Sequence, residues 1–339
     1  MIRLAAARIQ MRYENSRSVL PGLAVAALVA VAAQFLSDHY SAPAMLMALL
    51  LGIALNFLGT EGRTVNGVAF ASRTVLRMGV ALLGTRISVE LLLDLGLDLI
   101  ALVVAGTAVT ILFGLLVARL FSLDWKFGFL TAGSVAICGA SAAMAIGAIL
   151  PRDEHSEEKL TFTVLGVTVL PTIAMVAYPV LVALLNLDPT ESGVFLGGTI
   201  HDVAQVVGAG FSISEQTGDT ATLVKLIRVT ALAPVVLLGA LAVRRRGAVN
   251  GGERPPLMPF FVVGFLALAA TNSFNLIPDM LQNLASLTSR WFLLTAIAAV
   301  GMKTSLRRVF DVGGAAIAII VAETLFIAVF VLGGLTLLS

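Results

Sequence analysis

An all-α polytopic membrane protein is the fold class this sequence predicts, and three observations carry it. Hydrophobic residues make up 58% of the 339 residues and charged residues only 12%, about half the charged share of a soluble protein. The mean hydropathy is +0.99. The apolar residues fall into long runs, and a helix needs roughly 20 of them to cross a bilayer. These figures exclude a soluble enzyme, a disulfide-built secreted domain and a disordered chain. They suffice for about eleven (10–11) transmembrane helices.

The elements follow in order. Residues 1–18 read as a cytoplasmic N-terminal tail, basic through Arg3, Arg8, Arg12 and Arg17, with no cleavable signal after it. Residues 19–339 read as one transmembrane transporter domain. Its eleven apolar segments lie near 19–36, 43–59, 65–85, 93–119, 127–150, 160–185, 191–212, 220–243, 257–275, 285–303 and 312–337. With the N-terminus inside, the inner loops carry Arg63, then Arg119 and Lys126, then Arg244-Arg245-Arg246 with Arg254, then Lys303, Arg307 and Arg308. The outer loops carry Asp38 and His39, the acidic run Asp153-Glu154-His155-Ser156-Glu157-Glu158, and Glu215 with Asp219. One inner loop breaks the pattern: 186–190 has Asp188 and no Lys or Arg. Eleven crossings put the C-terminus outside, and one re-entrant segment would reverse that end.

Two internal echoes suggest repeats. Gly84-Thr85-Arg86-Ile87-Ser88 returns as Gly301-Met302-Lys303-Thr304-Ser305. At the same offset Arg73 matches Arg290, Asp94 matches Asp311 and Gly96 matches Gly313; one residue less aligns Pro43 with Pro259 and Asn56 with Asn272. Residues 43–120 thus echo 259–337 across an odd number of crossings, as in an inverted-repeat transporter with broken, crossed helices. A second echo joins Gly128-Phe129-Leu130-Thr131-Ala132-Gly133-Ser134 to Gly193-Val194-Phe195-Leu196-Gly197-Gly198-Thr199, Lys159 to Lys225 and Pro171 to Pro234. These partners lie two crossings apart and would be parallel. Either one segment is re-entrant or the second echo is convergent.

Candidate site residues cluster in the stretch 127–243, read as the core of the domain. The fifth segment holds Ser134, Cys138, Gly139 and Ser141. Gly133 and Gly139 can unwind a helix, and a new helix N-terminus binds anions. A tight contact of small residues is the plain alternative. The seventh segment holds Thr199, His201, Asp202 and Gln205 among glycines. Ionisable groups at membrane depth are costly and point to a pathway, and a His beside an Asp suits proton coupling. Lys225 and Arg228 share a face of the eighth segment, to hold an anion, neutralise Asp202, or snorkel. Arg73 and Arg77 read as snorkelling, and Glu323 stands alone in the last segment.

These stretches resemble a largely uncharacterised bacterial inner-membrane family of YeiH type, whose members carry the label of sulfate exporters. The resemblance rests on Ile137-Cys138-Gly139-Ala140-Ser141-Ala142, Leu170-Pro171, Gly198-Thr199-Ile200-His201-Asp202-Val203-Ala204-Gln205-Val206-Val207 and Val224-Lys225-Leu226-Ile227-Arg228-Val229. It extends over nearly the whole chain. Where the family often carries Asn, this chain has Ala140, so one amide of a candidate site is missing. More distantly, the family is similar to sodium–proton antiporters and bile-acid symporters. That likeness implies one bundle moving against another, without naming a substrate.

The function expected is a secondary transporter exporting a small, sulfate-like anion by alternating access, with proton coupling through His201 and Asp202. Ser134, Cys138, Gly139, Ser141, Thr199, His201, Gln205, Lys225 and Arg228 are the expected substrate-binding residues. A sodium or cation–proton antiporter built on Asp202 is one alternative, and a structural or regulatory membrane protein is another. An intramembrane enzyme is disfavoured, because no motif places a serine beside His201 and Asp202. No cofactor, metal or nucleic-acid partner is expected: Cys138 is the single cysteine and His39, His155 and His201 are scattered. The lipid bilayer is the surrounding partner, and assembly as a homodimer is left open.

Overall fold

The computed structural model describes residues 2–40, 44–87, 93, 95–151, 153–245, 260–304 and 314–338. All regular structure among them is helical. Helix α1 (Ile2–Tyr40) runs unbroken from the stretch read as a tail through the first apolar segment. The second segment forms α2 (Ala44–Ala54) and α3 (Phe57–Thr60). The third forms α4 (Val65–Phe70) and α5 (Leu76–Leu83), joined by a π-helical turn at Ala71–Val75. The fourth is α6 (Leu97–Leu120). The fifth divides into α7 (Trp125–Ala136) and α8 (Ala140–Ile149), and α9 (Ser156–Leu185) follows. The seventh divides into α10 (Pro189–Thr199) and α11 (Val203–Ile213). The eighth forms α12 (Glu215–Thr230) and α13 (Leu232–Arg245). The last three are α14 (Phe260–Ser273), α15 (Asp279–Lys303) and α16 (Gly314–Leu338).

Polar residues mark several of the starts. Asp188 accepts from the Thr190 and Glu191 amides while Glu191 accepts from the Asp188 amide, a capping box completed by Pro189. Asp124 caps α7 and Ser214 caps α12. Among the described residues six helical stretches are long and apolar enough to cross a membrane: Ser18–Tyr40, Leu97–Leu120, Glu158–Leu185, Glu215–Val243, Asp279–Lys303 and Ile317–Leu338.

The helices pack as two bundles. The first contains α1, α2, α4, α5, α14 and α15, with α2 lying along α15. That approach is close because Gly52 and Gly301 face each other: a Cβ on Gly52 would strike the Ala298 carbonyl, and one on Gly301 the Leu49 carbonyl. The second contains α6 to α13 and α16. The bundles meet where α11 packs on α2 and α15.

The fifth and seventh segments are helical hairpins. In the first, a Cβ on Gly133 of α7 would meet Ile146 of α8, thirteen positions on, which only a reversal of direction allows. Its two ends lie together, with Lys126 Nζ 3.5 Å from Asp153 and Lys159 Nζ 3.8 Å from Asp124. In the second, α9 touches both arms at one depth. The Tyr178 ring lies 5.1 Å from Phe195, while Met175, one turn away, fills the space beside Gly208. Gly193 and Gly210 likewise both adjoin α12 near Thr217–Ala221.

The hairpins approach from opposite ends. Helices α6 and α16 are antiparallel, Gly114 facing Glu323 and Gly106 facing Phe330. Helix α7 advances along them from Ala118, beside Gly128, to Gly114, beside Ala132. Helix α10 advances the other way along α16, from Val331, beside Gly198, to Thr324, bonded to His201.

Two expectations change as a result. The reading of about eleven crossings counts both hairpins as spans, and they turn back instead. The acidic run after the fifth segment, expected opposite Lys126, lies at the same end as Lys126. A hydropathy run of this length has no direction, so the reversal at 137–139 is invisible to it. The two segments of the second echo, expected to be parallel as simple crossings, enter from opposite ends and so run antiparallel. Expectations at Pro43, Ser88, Asp94, Arg246, Arg254, Pro259, Ser305, Arg307, Arg308, Asp311 and Gly313 lie outside the described residues.

Candidate functional site

The two hairpin tips meet inside the second bundle. Helix α7 stops at Ala136 because Ile137 leaves the helical region (φ −110°, ψ −84°) and Gly139 has φ 61°. Only glycine holds such a backbone without strain. Helix α10 stops where Ile200 and Asp202 are extended. A Cβ on Gly139 would stand 3.8 Å from the His201 Cβ, so the tips lie close together, with an added methyl group enough to bring them into contact.

Each first arm ends with carbonyl groups that lack helical partners and carry the negative end of the helix dipole. Two such ends side by side in an apolar interior require donors. Lys225 and Arg228 of α12 supply them. Lys225 Nζ donates to Ile137 O at 2.7 Å and Ile200 O at 2.9 Å. Arg228 donates through Nε to Ala136 O at 2.8 Å and through Nη2 to Val135 O at 2.8 Å. Its Nη1 reaches Gly197 O at 3.0 Å and Ile200 O at 3.1 Å. Both side chains are fully buried. The sequence placed them on a substrate or on Asp202; the structure gives their donors to the backbone of both tips.

Helix α16 holds the tips from another side with adjacent residues. Thr324 Oγ1 lies 2.9 Å from His201 Nε2. Glu323 Oε1 accepts from Thr131 Oγ1 of α7 at 2.8 Å. Glu323, which seemed alone in the sequence, thus joins the first hairpin, and Thr324, Thr131 and Thr172 were not expected at the site. Gln205 Nε2 donates to Thr172 Oγ1 of α9 at 3.4 Å. His201 Nδ1, Gln205 Oε1 and Glu323 Oε2 are buried without a hydrogen-bond partner among the described residues.

The remaining expected residues divide. Cys138 and Gly139 are at the first tip, Cys138 buried. Asp202 is partly exposed at the N-cap position of α11, with no capping bond from its side chain. Ser134 donates to Leu130 O and Thr199 to Phe195 O, so both hydroxyl protons are spent within their own helices. Ser141 points to the exposed face of α8. Among the described residues no three His, Cys, Asp or Glu side chains converge as a metal site requires.

This arrangement has an electrostatic consequence. The carbonyl ends of α7 and α10 are offset by two cations, while the N-terminal ends of α8 and α11 open at the same tips. The tips therefore favour negative charge.

A family model described as conserved hypothetical protein 698 matches residues 21–331. The chain is 65% identical over 322 residues to the UPF0324 membrane protein TauZ of Paracoccus pantotrophus, covering 94% of this chain and 95% of that one. It is 61% identical over 318 residues to a UPF0324 membrane protein of Rhizobium meliloti, covering 93% and 92%. It is 50% identical over 321 residues to one of Chlorobaculum tepidum, covering 94% and 90%.

Proposed function

The chain belongs to the UPF0324 family of membrane proteins, and we propose that it is a secondary transporter exporting a small, sulfate-like anion by alternating access. The observation that carries this reading is the pair of opposed hairpins whose carbonyl ends are neutralised by Lys225 and Arg228. An anion at the tips is held by the N-terminal ends of α8 and α11, beside His201, Gln205, Cys138 and Gly139. The second bundle carries this site and moves against the first, with α11 sliding on α2 and α15. His201 and Asp202 exchange a proton as the anion passes, coupling export to proton entry.

In this reading nine apolar segments cross the bacterial inner membrane and the N-terminus is cytoplasmic. Arg63, Arg119, Lys126 and Lys159 then face inward, and Asp38, Asp188, Glu215 and Asp279 outward. Asp188 no longer breaks the charge pattern. The inverted repeat becomes circularly permuted: α2 to α9 correspond to α14 to α16 followed by α10 to α13.

Cation–proton antiport is the second reading, favoured by Asp202, which stands at the second tip with no capping bond from its side chain. Purified protein in proteoliposomes separates the two. Sulfate or sulfite efflux driven by a pH gradient, reduced in His201→Ala, supports anion export. Sodium-dependent flux lost in Asp202→Asn, with no anion requirement, supports antiport instead.

A further inference from the structure

Far from the hairpin tips, a cavity of about 380 Å³ lies between the two bundles. Its walls include Ser37, Arg86, Ser286 and Arg290 of the first bundle and Ile213 and Glu215 of the second. Arg86 also carries the ion pairs that join the bundles. Its Nη2 lies 3.1 Å from Glu215 and 2.9 Å from Asp219, both on the first turns of α12. The other salt bridges among the described residues lie within the second bundle. Arg290 differs from Arg86: its Nη2 donates to Gln34 Oε1 at 3.4 Å, and no carboxylate among the described residues comes within ion-pair distance.

The cavity thus presents two guanidinium groups and the Glu215 carboxylate that pairs with one of them; among the described residues Arg290 has no ion-pair partner. Guanidinium forks match oxyanions in a bidentate manner, and the volume lies in the range of small-molecule sites. We propose that this cavity is a second binding site for a small oxyanion, on the outward path. There Arg86 exchanges Glu215 and Asp219 for the anion as the bundles part. The proposal rests on the anion-export reading for its direction, and on the geometry of Arg86 and Arg290 for the site itself.

The same ion pairs hold the outer end closed in the orientation given above. An anion that competes with Glu215 for Arg86 weakens the link between the bundles. A ligand bound better by the parted state shifts the equilibrium toward it. Removing the competing carboxylate therefore strengthens anion binding, whereas removing Arg290 weakens it.

Isothermal titration of the purified full-length protein with sodium sulfate, and in parallel with sodium sulfite, tests this. Glu215→Gln binds several-fold tighter than the parent, and Arg290→Gln about tenfold weaker. Both side chains are exposed, and an unchanged thermal transition verifies that each variant is folded. Absence of binding by the parent protein, or equal affinities in all three proteins, overturns the proposal. If the export reading alone is wrong, proteoliposomes show no anion flux while the opposed affinity changes remain. If this site alone is wrong, flux is present and the affinities do not move.

Discussion

His201 Nε2 donates to Thr324 Oγ1 at 2.9 Å, and the direction follows from Thr324, whose own proton goes to Ile320 O at 2.7 Å. The pair ties the second hairpin to α16, and it fixes which imidazole nitrogen carries a proton in the neutral ring. Thr324→Val keeps the shape and strands the His201 donor, at a cost of about 1–3 kcal/mol. Thr324→Ser retains the acceptor. Thermal unfolding in detergent is expected to rank parent, Ser and Val in falling order. Equal stability of Val and Ser variants would show that the bond holds nothing.

Arg228 is the residue on which both hairpins depend, since its four hydrogen bonds end on carbonyls of α7 and the second tip. Arg228→Met leaves those carbonyls without donors and costs about 3–5 kcal/mol. An ammonium group has three donors at one point where the guanidinium spreads four bonds over both tips, so Arg228→Lys recovers only part. Gel filtration and melting of the detergent-solubilised variants should give a poorly folded Met variant and a weakened Lys variant. A Met variant with the parent's transition would remove Arg228 from this role.

The hairpin course of the fifth segment places Glu154 at the same end as Lys126, and the second hairpin starts and finishes at the other end. In a Cys138→Ser background, Glu154→Cys and Glu191→Cys are expected to react from opposite sides. With intact cells and an impermeant maleimide, Cys at 191 labels and Cys at 154 labels only after the membrane is opened. With the N-terminus cytoplasmic, the reverse pattern, Cys at 154 labelled in intact cells and Cys at 191 only after the membrane is opened, would return the fifth segment to a simple crossing.

That comparison also shows what could be read beforehand. The apolar segments were legible because burial and lipid exposure both demand apolar residues, and the break at Gly139 was legible from its sequence. The turn-back was not, because hydropathy counts residues and ignores direction. Two signals did bear on it: Asp188 in a loop read as inner, and an echo that came out parallel. The partners of Lys225 and Arg228 were hidden for another reason. Their spacing puts them on one helix face, but the carbonyls they bind come from Ile137 and Val135, some ninety positions away. Glu323 looked isolated because Thr131, its partner, is 192 positions distant.

Asp153 lies outside the membrane-spanning segments. The Lys159 ammonium, bonded at 3.1 Å, and the Ser156 hydroxyl hold its carboxyl down to about 2. A carboxyl whose folded value is depressed stabilises the fold above its unfolded value, about 3.9, and that contribution fades as pH falls toward 2. The group is partly exposed, so solvent screening keeps the effect small. The difference in melting temperature between the parent and Asp153→Asn is expected to be constant from pH 7 to about 5 and to shrink below about 4. A difference that grows on acidification would reverse the sign assigned to this cluster.

Gly139 and Gly133 are both in the first hairpin, yet alanine should affect them by different routes. Gly139 has φ 61° and ψ −126°, where a side chain strains the backbone whatever space surrounds it, at about 1–3 kcal/mol. Its added Cβ would also stand 3.3 Å from the Val167 carbonyl. Gly133 is helical, and its Cβ would meet only the end of the Ile146 side chain, which can rotate aside. Gly133→Ala also gains helix propensity, by up to about 1 kcal/mol. Gly139→Ala should therefore lower the melting temperature more. Ile146→Val should relieve Gly133→Ala and leave Gly139→Ala unrelieved. Relief of both by that second change would mean that packing, not backbone conformation, sets the tip.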